Sequence, residues 1–427
     1  MTTPPPAALW YVYPLGFTGA PIRRPDPDSF ASAPAHRLRR VAAWLDYAAN
    51  LGVDGIVLGP VLLSKTHGYD TLDYFRIDPR LGDEDDFLDL VRAAHARGLA
   101  LYGDGVFNHV SADHPALRAA LAGGPDSPGA GMFQVAWRAP GGPRPHPFEG
   151  HGELVCFDHA SGETADFVTE VMDYWLSRGL DGFRLDAAYA TGPKFWRRVL
   201  PGVRAAHPGA WFFAEVIHGN YASEVKAAGY DSLTQYELWK AIWSSLLDPN
   251  FFELDWSLKR HNRFLEDFAP VTFVSNHDVT RIASQVGPGK AALAAVILMT
   301  VGGIPCVYSG DEQAFTGVKE ERVGGDDAVR PEFPPDPSGL APFGWWMYDL
   351  YRELLELRRA NPWLRRAQST TQALTTSHYA YRVAAGGGAA GGGALEVEVD
   401  VAGRPRALIR DWRHGDKLWE WEWSGLD

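Results

Sequence analysis

The chain has 427 residues, 46% hydrophobic and 22% charged, with a formal net charge of −13. That length exceeds one small core and suits a barrel with an appendage. The acidic balance argues against a nucleic-acid partner or an anionic membrane surface, and two cysteines, Cys156 and Cys306, are too few for a disulfide framework or a cysteine-based metal centre.

The first residues, MTTPPPAALWYVYPLG, hold no basic segment and no long apolar run, so neither a signal peptide nor a membrane span is expected and the cytoplasm is the default location. Residues 10–14 (WYVYP) read as a first strand, 36–51 as an amphipathic helix and 55–60 (GIVLGP) as a second strand. An acidic first turn opens a helix over 83–97, and 99–107 (LALYGDGVF) is a third strand. The Gly/Pro-rich stretch 112–148 has weak periodicity and reads as an excursion. A helix over 165–177 restores the rhythm, and 179–190 (GLDGFRLDAAYA) carries the fourth strand.

The fifth strand is 211–217 (WFFAEVI), 232–238 is a weak sixth, 270–275 (PVTFVS) the seventh and 304–309 (IPCVYS) the eighth. The apolar run 291–301 is short and ends at Gly302, Gly303 and Pro305. A final helix over 345–359 stops at Asn361 and Pro362. Strands alternating with helices predict a parallel sheet, and eight units predict an α/β (β/α)8 barrel. Beyond 362 the pattern alternates in the strand manner, so a small all-β domain is expected, with a flexible Gly/Ala connection at 384–394. The chain then divides into a barrel (1–111 and 149–362), an excursion (112–148) and a C-terminal β domain (363–427).

In a parallel barrel, polar residues at the C-terminal ends of strands face the active site. Arg184 and Asp186 share one face of the fourth strand. Taken alone, they read first as a structural ion pair, since either charge buried by itself is costly. The other strand ends change that reading. The third ends in Asp104, Asn108 and His109, the fifth contains Glu215, and the seventh runs into Asn276, His277 and Asp278. Carboxylates, histidines and an arginine gathered at one end of four strands point to a site.

The segments GDGVFNHV, GFRLDAA, FFAEV and FVSNHD resemble, in order, the four signature regions of the α-amylase family of glycoside hydrolases, family 13. HGYD at 67–70 and GIPCVYSGDE at 303–312 resemble two further blocks, and the likeness covers roughly 10–330. The resemblance implies that Asp186 is a nucleophile forming a covalent glycosyl-enzyme, with Arg184 lowering its pKa. It implies that Glu215 is the general acid and then the general base, its apolar neighbours favouring the protonated form. Asp278 would bind ring hydroxyls and stabilise an oxocarbenium-like transition state. A retaining mechanism wants the first two carboxyls roughly 5–5.5 Å apart, which adjacent strands can supply.

By the same resemblance His109 and His277 would hydrogen-bond the ring's hydroxyls, Tyr69 would stack on it with His67 alongside, and Asp104 would support this shell. Asp326 and Arg330 resemble a pair bordering that ring and the next. Asp70 reads also as a turn cap, and Asp113 with His114 does not make a closed metal-ligand set.

Calcium-dependent members carry an aspartate before the fourth strand and a histidine after the nucleophile. Here those positions are Cys156 and Ala190, and only Asn108 matches, so the usual calcium set is incomplete and no cofactor is expected. Tyr189 and Ala190 stand where a Lys-His pair is common. Loop 16–29 lacks an Asp/Asn-rich cation motif. The leading function is hydrolysis of α-glucosidic bonds, foremost α-1,4, in maltooligosaccharides or starch-like α-glucans. An exo-acting α-glucosidase, an α-glucosyl transglycosylase and a non-catalytic sugar-binding barrel are the alternatives, and oligomeric state stays open.

Overall fold

The computed structural model describes residues 5–23, 33–386 and 392–425. Most of the Gly/Ala connection expected at 384–394, and part of loop 16–29, lie outside the described residues. Eight parallel strands form one sheet: β1 (Leu9–Val12), β2 (Gly55–Leu58), β3 (Ala100–Gly105), β4 (Gly182–Leu185), β5 (Trp211–Ala214), β6 (Ser232–Leu233), β7 (Val271–Thr272) and β8 (Ile304–Tyr308). Their order is β6-β5-β4-β3-β2-β1-β8-β7. A parallel bridge between Thr234 and Val271 joins the two ends, so the sheet closes into a barrel. Strands buried on both faces explain the near-continuous apolar runs of β2, β4 and β5.

Around the barrel run α1 (Glu84–His95), α2 (Gly162–Leu176), α3 (Pro193–Ala206), α4 (Tyr236–Leu247), α5 (Phe251–Asp267), α6 (Pro288–Thr300) and α7 (Trp345–Ala360). The acidic start of α1 is a capping box. Asp83 accepts from the Asp86 N–H at 3.0 Å and Asp86 accepts from the Asp83 N–H at 3.2 Å, which satisfies two otherwise orphaned donors. Gly182 is required by close approach, because a Cβ there would sit 1.8 Å from the Trp211 carbonyl oxygen.

The structure departs from the sequence expectation in three places. Residues 36–51 form two helices, Leu38–Ala42 and Leu45–Leu51. The break lets Trp44 bury its ring against Phe17 and Phe333 and donate Nε1 to the Pro334 carbonyl. The seventh strand pairs only over Val271–Thr272, because the chain then turns toward the barrel mouth. The excursion is more ordered than its weak periodicity suggested. It holds a helix, Pro115–Gly123, started by proline at its first turn, and a small antiparallel sheet of His109–Ser111, His151–Cys156 and Pro147–Phe148.

The C-terminal strands β9 (Gln368–Leu374), β10 (His378–Ala384), β11 (Ala394–Asp400), β12 (Arg406–Asp411) and β13 (Lys417–Glu422) form an antiparallel meander. Tyr379, Tyr381, Val397, Val399 and Ile409 face inward, and the Tyr381 hydroxyl lies 2.7 Å from Thr300 Oγ1 at the end of α6. Helix α6 is buried along almost its whole length. That accounts for its apolar run, and among the described residues no helix is long and apolar enough to cross a membrane.

Candidate active site

Strand register decides which side chains meet. Arg184 on β4 pairs with Asp104 on β3 and Phe213 on β5. Asp186 and Glu215 each follow the last residue of their strand, and those last residues, Leu185 and Ala214, are paired. The ladder continues through both: the Asp186 N–H donates to Gly105 at 3.0 Å and the Glu215 N–H to Leu185 at 2.9 Å. Two carboxyls thus leave neighbouring strands, about 4.8 Å apart, one level above Arg184. Ala187, two residues beyond β4, lies in the left-handed region, at φ 45° and ψ 34°, which a Cβ disfavours. The turn aims its N–H at Glu215 Oε2, 3.0 Å away.

Arg184 serves three carboxylates. Nη1 donates to Asp104 Oδ1 at 2.7 Å and to Asp186 Oδ1 at 3.0 Å, and Nη2 lies 2.9 Å from Glu215 Oε1. Each of the four side chains is less than a tenth exposed. Three buried carboxyls cannot all ionise cheaply around one guanidinium. Burial pushes the Asp186 carboxyl well up, Arg184 pulls it back, and Glu215 and Asp104 push it up again. Burial likewise raises Asp104 against the pull of Arg184. Arg184 thus lowers the Asp186 pKa, as expected, but burial and the neighbouring carboxyls outweigh its pull.

Asp278 lines the same hollow of about 430 Å³ as Asp186 and Glu215. Its N–H donates to Asn276 Oδ1 at 2.9 Å, Oδ1 accepts from Arg330 Nη2 at 2.8 Å, and Oδ2 lies 3.0 Å from His277 Nε2. With 37% of its side chain exposed, it is far more open than Asp186. Burial raises its carboxyl, but His277 and the charges of Arg330, Arg184 and Lys319 hold it down at about 2. Arg330 also lies 3.3 Å from Asp326, which sits 3.6 Å from Lys319.

The structure brings all eleven sequence-predicted site residues to one mouth. His67, Tyr69, His109, Asp186, Glu215, Asp278, Asp326 and Arg330 line the hollow. Asp104, Arg184 and His277 lie under it, buried. His277 is sandwiched among parallel tyrosine rings, 4.9 Å from Tyr11, 5.3 Å from Tyr69 and 5.9 Å from Tyr13. Burial keeps it neutral, its pKa well below the usual histidine value. Both nitrogens of His109 already have protein partners, Tyr69 O at 2.9 Å and Asn108 at 3.2 Å, and its ring stacks on Phe148. Asp70 caps a turn by accepting from the Thr66 N–H and hydroxyl.

Sequence reasoning missed several members. Tyr236, first residue of α4, donates to Glu215 Oε1 at 3.0 Å and accepts from Asn276 at 2.9 Å. Tyr11 donates to Asp104 at 3.2 Å. Glu149, with φ 49°, reaches from the excursion to accept from the Tyr189 hydroxyl at 2.8 Å. Tyr236 had a signal: a tyrosine inside the weak sixth strand expected at 232–238, near the rim where a barrel's site residues fall.

The residues at the calcium positions do not make an oxygen cage. Asn108 turns its amide to His109, Cys156 is a buried thiol beside His109 in the small sheet, and Ala190 has no donor side chain. Calcium takes hard oxygen ligands, six or more of them. Asp113 instead pairs with Lys65 and Arg118.

Residues 27–151 and 224–335 match the family model described as alpha amylase, catalytic domain. The matched residues flank Asp186 and Glu215 without including them. An alpha-amylase of Dictyoglomus thermophilum is 26% identical over 338 residues, 76% of this chain and 58% of that protein. A cyclomaltodextrinase of Geobacillus thermopakistaniensis is 28% identical over 355 residues, 80% of this chain and 58% of that one. The chain thus spans little more than half the length of these relatives. Among solved structures, a cyclic α-maltosyl-(1→6)-maltose hydrolase of Arthrobacter globiformis, in complex with that saccharide, superposes with a TM-score of 0.78 at 22% identity, covering 96% of this chain and 98% of that one.

Proposed function

Since the chain belongs to the α-amylase family, we propose that it is a retaining glycoside hydrolase that cleaves α-glucosidic bonds, foremost α-1,4, in maltooligosaccharides or related α-glucans. One observation carries the reading: Arg184 ties Asp104, Asp186 and Glu215 together at the floor of a hollow that Asp278 also lines. A purely structural arginine would be matched by one carboxylate, or two, rather than three.

In the first step Glu215, acting as the general acid, gives a proton to the departing glycosidic oxygen. Asp186 attacks the anomeric carbon, forming a glycosyl-ester bond as the C–O bond breaks. Arg184 fixes Asp186 Oδ1, which leaves Oδ2 free to attack. In the second step Glu215, now ionised, takes a proton from water; the water oxygen bonds to the anomeric carbon and Asp186 departs. The Ala187 N–H, the Tyr236 hydroxyl and Arg184 all donate to Glu215, so its ionised form is supported between the two steps. Asp278, held ionised by Arg330, offers negative charge to the oxocarbenium-like transition state and accepts from ring hydroxyls.

We assign His67, Tyr69, His109, Asp326 and Arg330 to the walls of the same sugar site, with the buried His277 and Asp104 positioning them. The donor chemistry at Asn108, Cys156 and Ala190 supports a reaction without a resident calcium at that place. Two buried, unpaired cysteines suit a reducing compartment such as the cytoplasm. The test is a time course on maltotriose and maltoheptaose with the product's anomeric form read by NMR. Early α-product is expected; early β-product, or no cleavage, would overturn the proposal.

A further inference from the structure

The mouth of the barrel has a third arm. Beside the main hollow lies a second of about 380 Å³, within the range of ligand sites, and the two share Asp278, Val279 and Lys319. It opens between α4, which follows β6, and the loop that follows β7. One wall is made by Trp239 and Trp243, whose rings are 6.0 Å apart. Its polar members are Thr280, Gln285, Lys319 and Glu321.

These tryptophans are not the core face of α4. Leu238, Ala241, Ile242, Ser245 and Leu246 are buried there. Tyr236, Trp239 and Trp243 form a separate stripe at i, i+3 and i+7, all half-buried. The stripe begins at Glu215, which the Tyr236 hydroxyl holds, and Trp239 packs on Tyr236 at 5.8 Å and on Phe273 at 6.2 Å. Trp243 lies farthest out, and its Nε1 is buried with no acceptor among the described residues. Indole faces beside an amide, an ammonium and a carboxylate match a sugar ring, which has apolar C–H faces and a hydroxyl edge.

We propose that this arm binds a glucosyl residue of a second chain, so that the enzyme favours branched over linear α-glucans. The proposal rests on the glycosidase reading above. A linear chain threading the site has two ends, and the main hollow already has two flanks for them. One runs toward Phe148, Glu149 and Tyr189 above β3 and β4, the other toward Asp326 and Arg330 beyond β8. The arm above β6 and β7 is left for a branch, and it departs from Asp278, the carboxylate assigned to the hydroxyls of the ring being cleaved.

The test measures KM and kcat of the full chain on maltoheptaose and on an α-1,6-branched limit dextrin, for wild type, Trp243→Ala and Trp243→Phe. Trp243→Ala should raise KM for the branched dextrin about fivefold, the scale of one lost aromatic contact, while KM for maltoheptaose stays within about twofold. Trp243→Phe keeps a ring face and should recover most of the loss. Equal effects on both saccharides, or none on either, would overturn the branch arm. Should Trp243→Ala not fold, Gln285→Ala on the polar side must shift the same preference in the same direction, and an unchanged preference there overturns it too. Failure of the wild type to cleave either saccharide would instead sink the glycosidase reading itself.

Discussion

Two buried arginines sit at the same end of this barrel and do opposite things. Arg184 is shared by Asp104, Asp186 and Glu215, and the cluster opens onto the main hollow. Among the described residues Arg281 forms its ion pair with Asp311, at 3.0 Å, and both side chains are fully sealed. Arg281 also donates to the Ser309 carbonyl at 2.9 Å and lies over the Tyr308 ring at 4.2 Å. Beside it, Glu312 accepts from the Gly310 N–H and the Tyr47 hydroxyl. Similar residue types at similar depth thus give a site in one place and a rivet in the other. What separates them is charge balance and access. A matched, sealed pair joins the β7 loop to the β8 loop, whereas in the open cluster one guanidinium faces three carboxyls beside the main hollow.

The sharpest way to break this comparison is to remove one carboxylate from each. Asp186→Asn should lower kcat on maltooligosaccharides by about 10⁴-fold or more, as loss of a covalent nucleophile does. It relieves crowding, so the melting temperature should change by no more than about 3 °C. Near-normal turnover would remove Asp186 from the mechanism. Asp311→Ala should do the reverse. It strands a sealed guanidinium, and urea denaturation should record a loss of about 3–5 kcal/mol, while turnover per folded molecule at low temperature stays near wild type. A stable Asp311→Ala protein, or a folded but inactive one, would erase the distinction drawn between the two clusters.

A smaller effect sharpens the catalytic side. Tyr236→Phe removes the hydroxyl that donates to Glu215 and accepts from Asn276. A hydrogen bond to a charged group is worth about 1.5–3 kcal/mol, so kcat should fall about tenfold or somewhat more with KM little changed. Steady-state kinetics on maltoheptaose decide it: a rise in KM with kcat intact would mean that Tyr236 holds substrate rather than the acid.

How much of this was legible in the chain depends on what each feature is made of. The barrel strands were readable because they are short apolar runs at regular spacing, and the charges at their ends broke that pattern visibly. Asp104, Arg184, Asp186 and Glu215 could therefore be gathered from strand ends alone. The electrostatic balance could not, since it depends on Arg184 being divided among three partners, which only register reveals. Trp239 and Trp243 were hidden for another reason: a stripe of aromatics on a helix has the same periodicity whether it faces the core or a cleft. The helix in the excursion was masked by its glycines and prolines, which mark its ends. The split of 36–51 turns on where Trp44 must bury its ring, a tertiary demand that overrides a continuous helical pattern.

The last expected effect is a slope in pH, spread over more than two pH units, and it tests the sealed cluster from the inside. Burial pushes the Asp311 carboxyl up to about 6 despite Arg281, and burial pushes Glu312 up to about 7 despite its hydrogen bonds. Each group therefore keeps its proton in the folded state at a pH where the unfolded chain has already lost it. The folded state binds more protons between about 4.5 and about 7 for Glu312, so stability must fall as pH rises through that window. Its contribution is fully present below the unfolded value and lost above the folded one. Glu312→Gln removes that titration, and the variant should lose the corresponding part of the slope, on the order of 3 kcal/mol across the window. Urea denaturation of both proteins from mildly acidic to neutral pH measures it. The opposite sign, stability rising with pH and flattened by the substitution, would mean that Glu312 folds ionised and that the sealed cluster carries an unmatched charge just as the open one does.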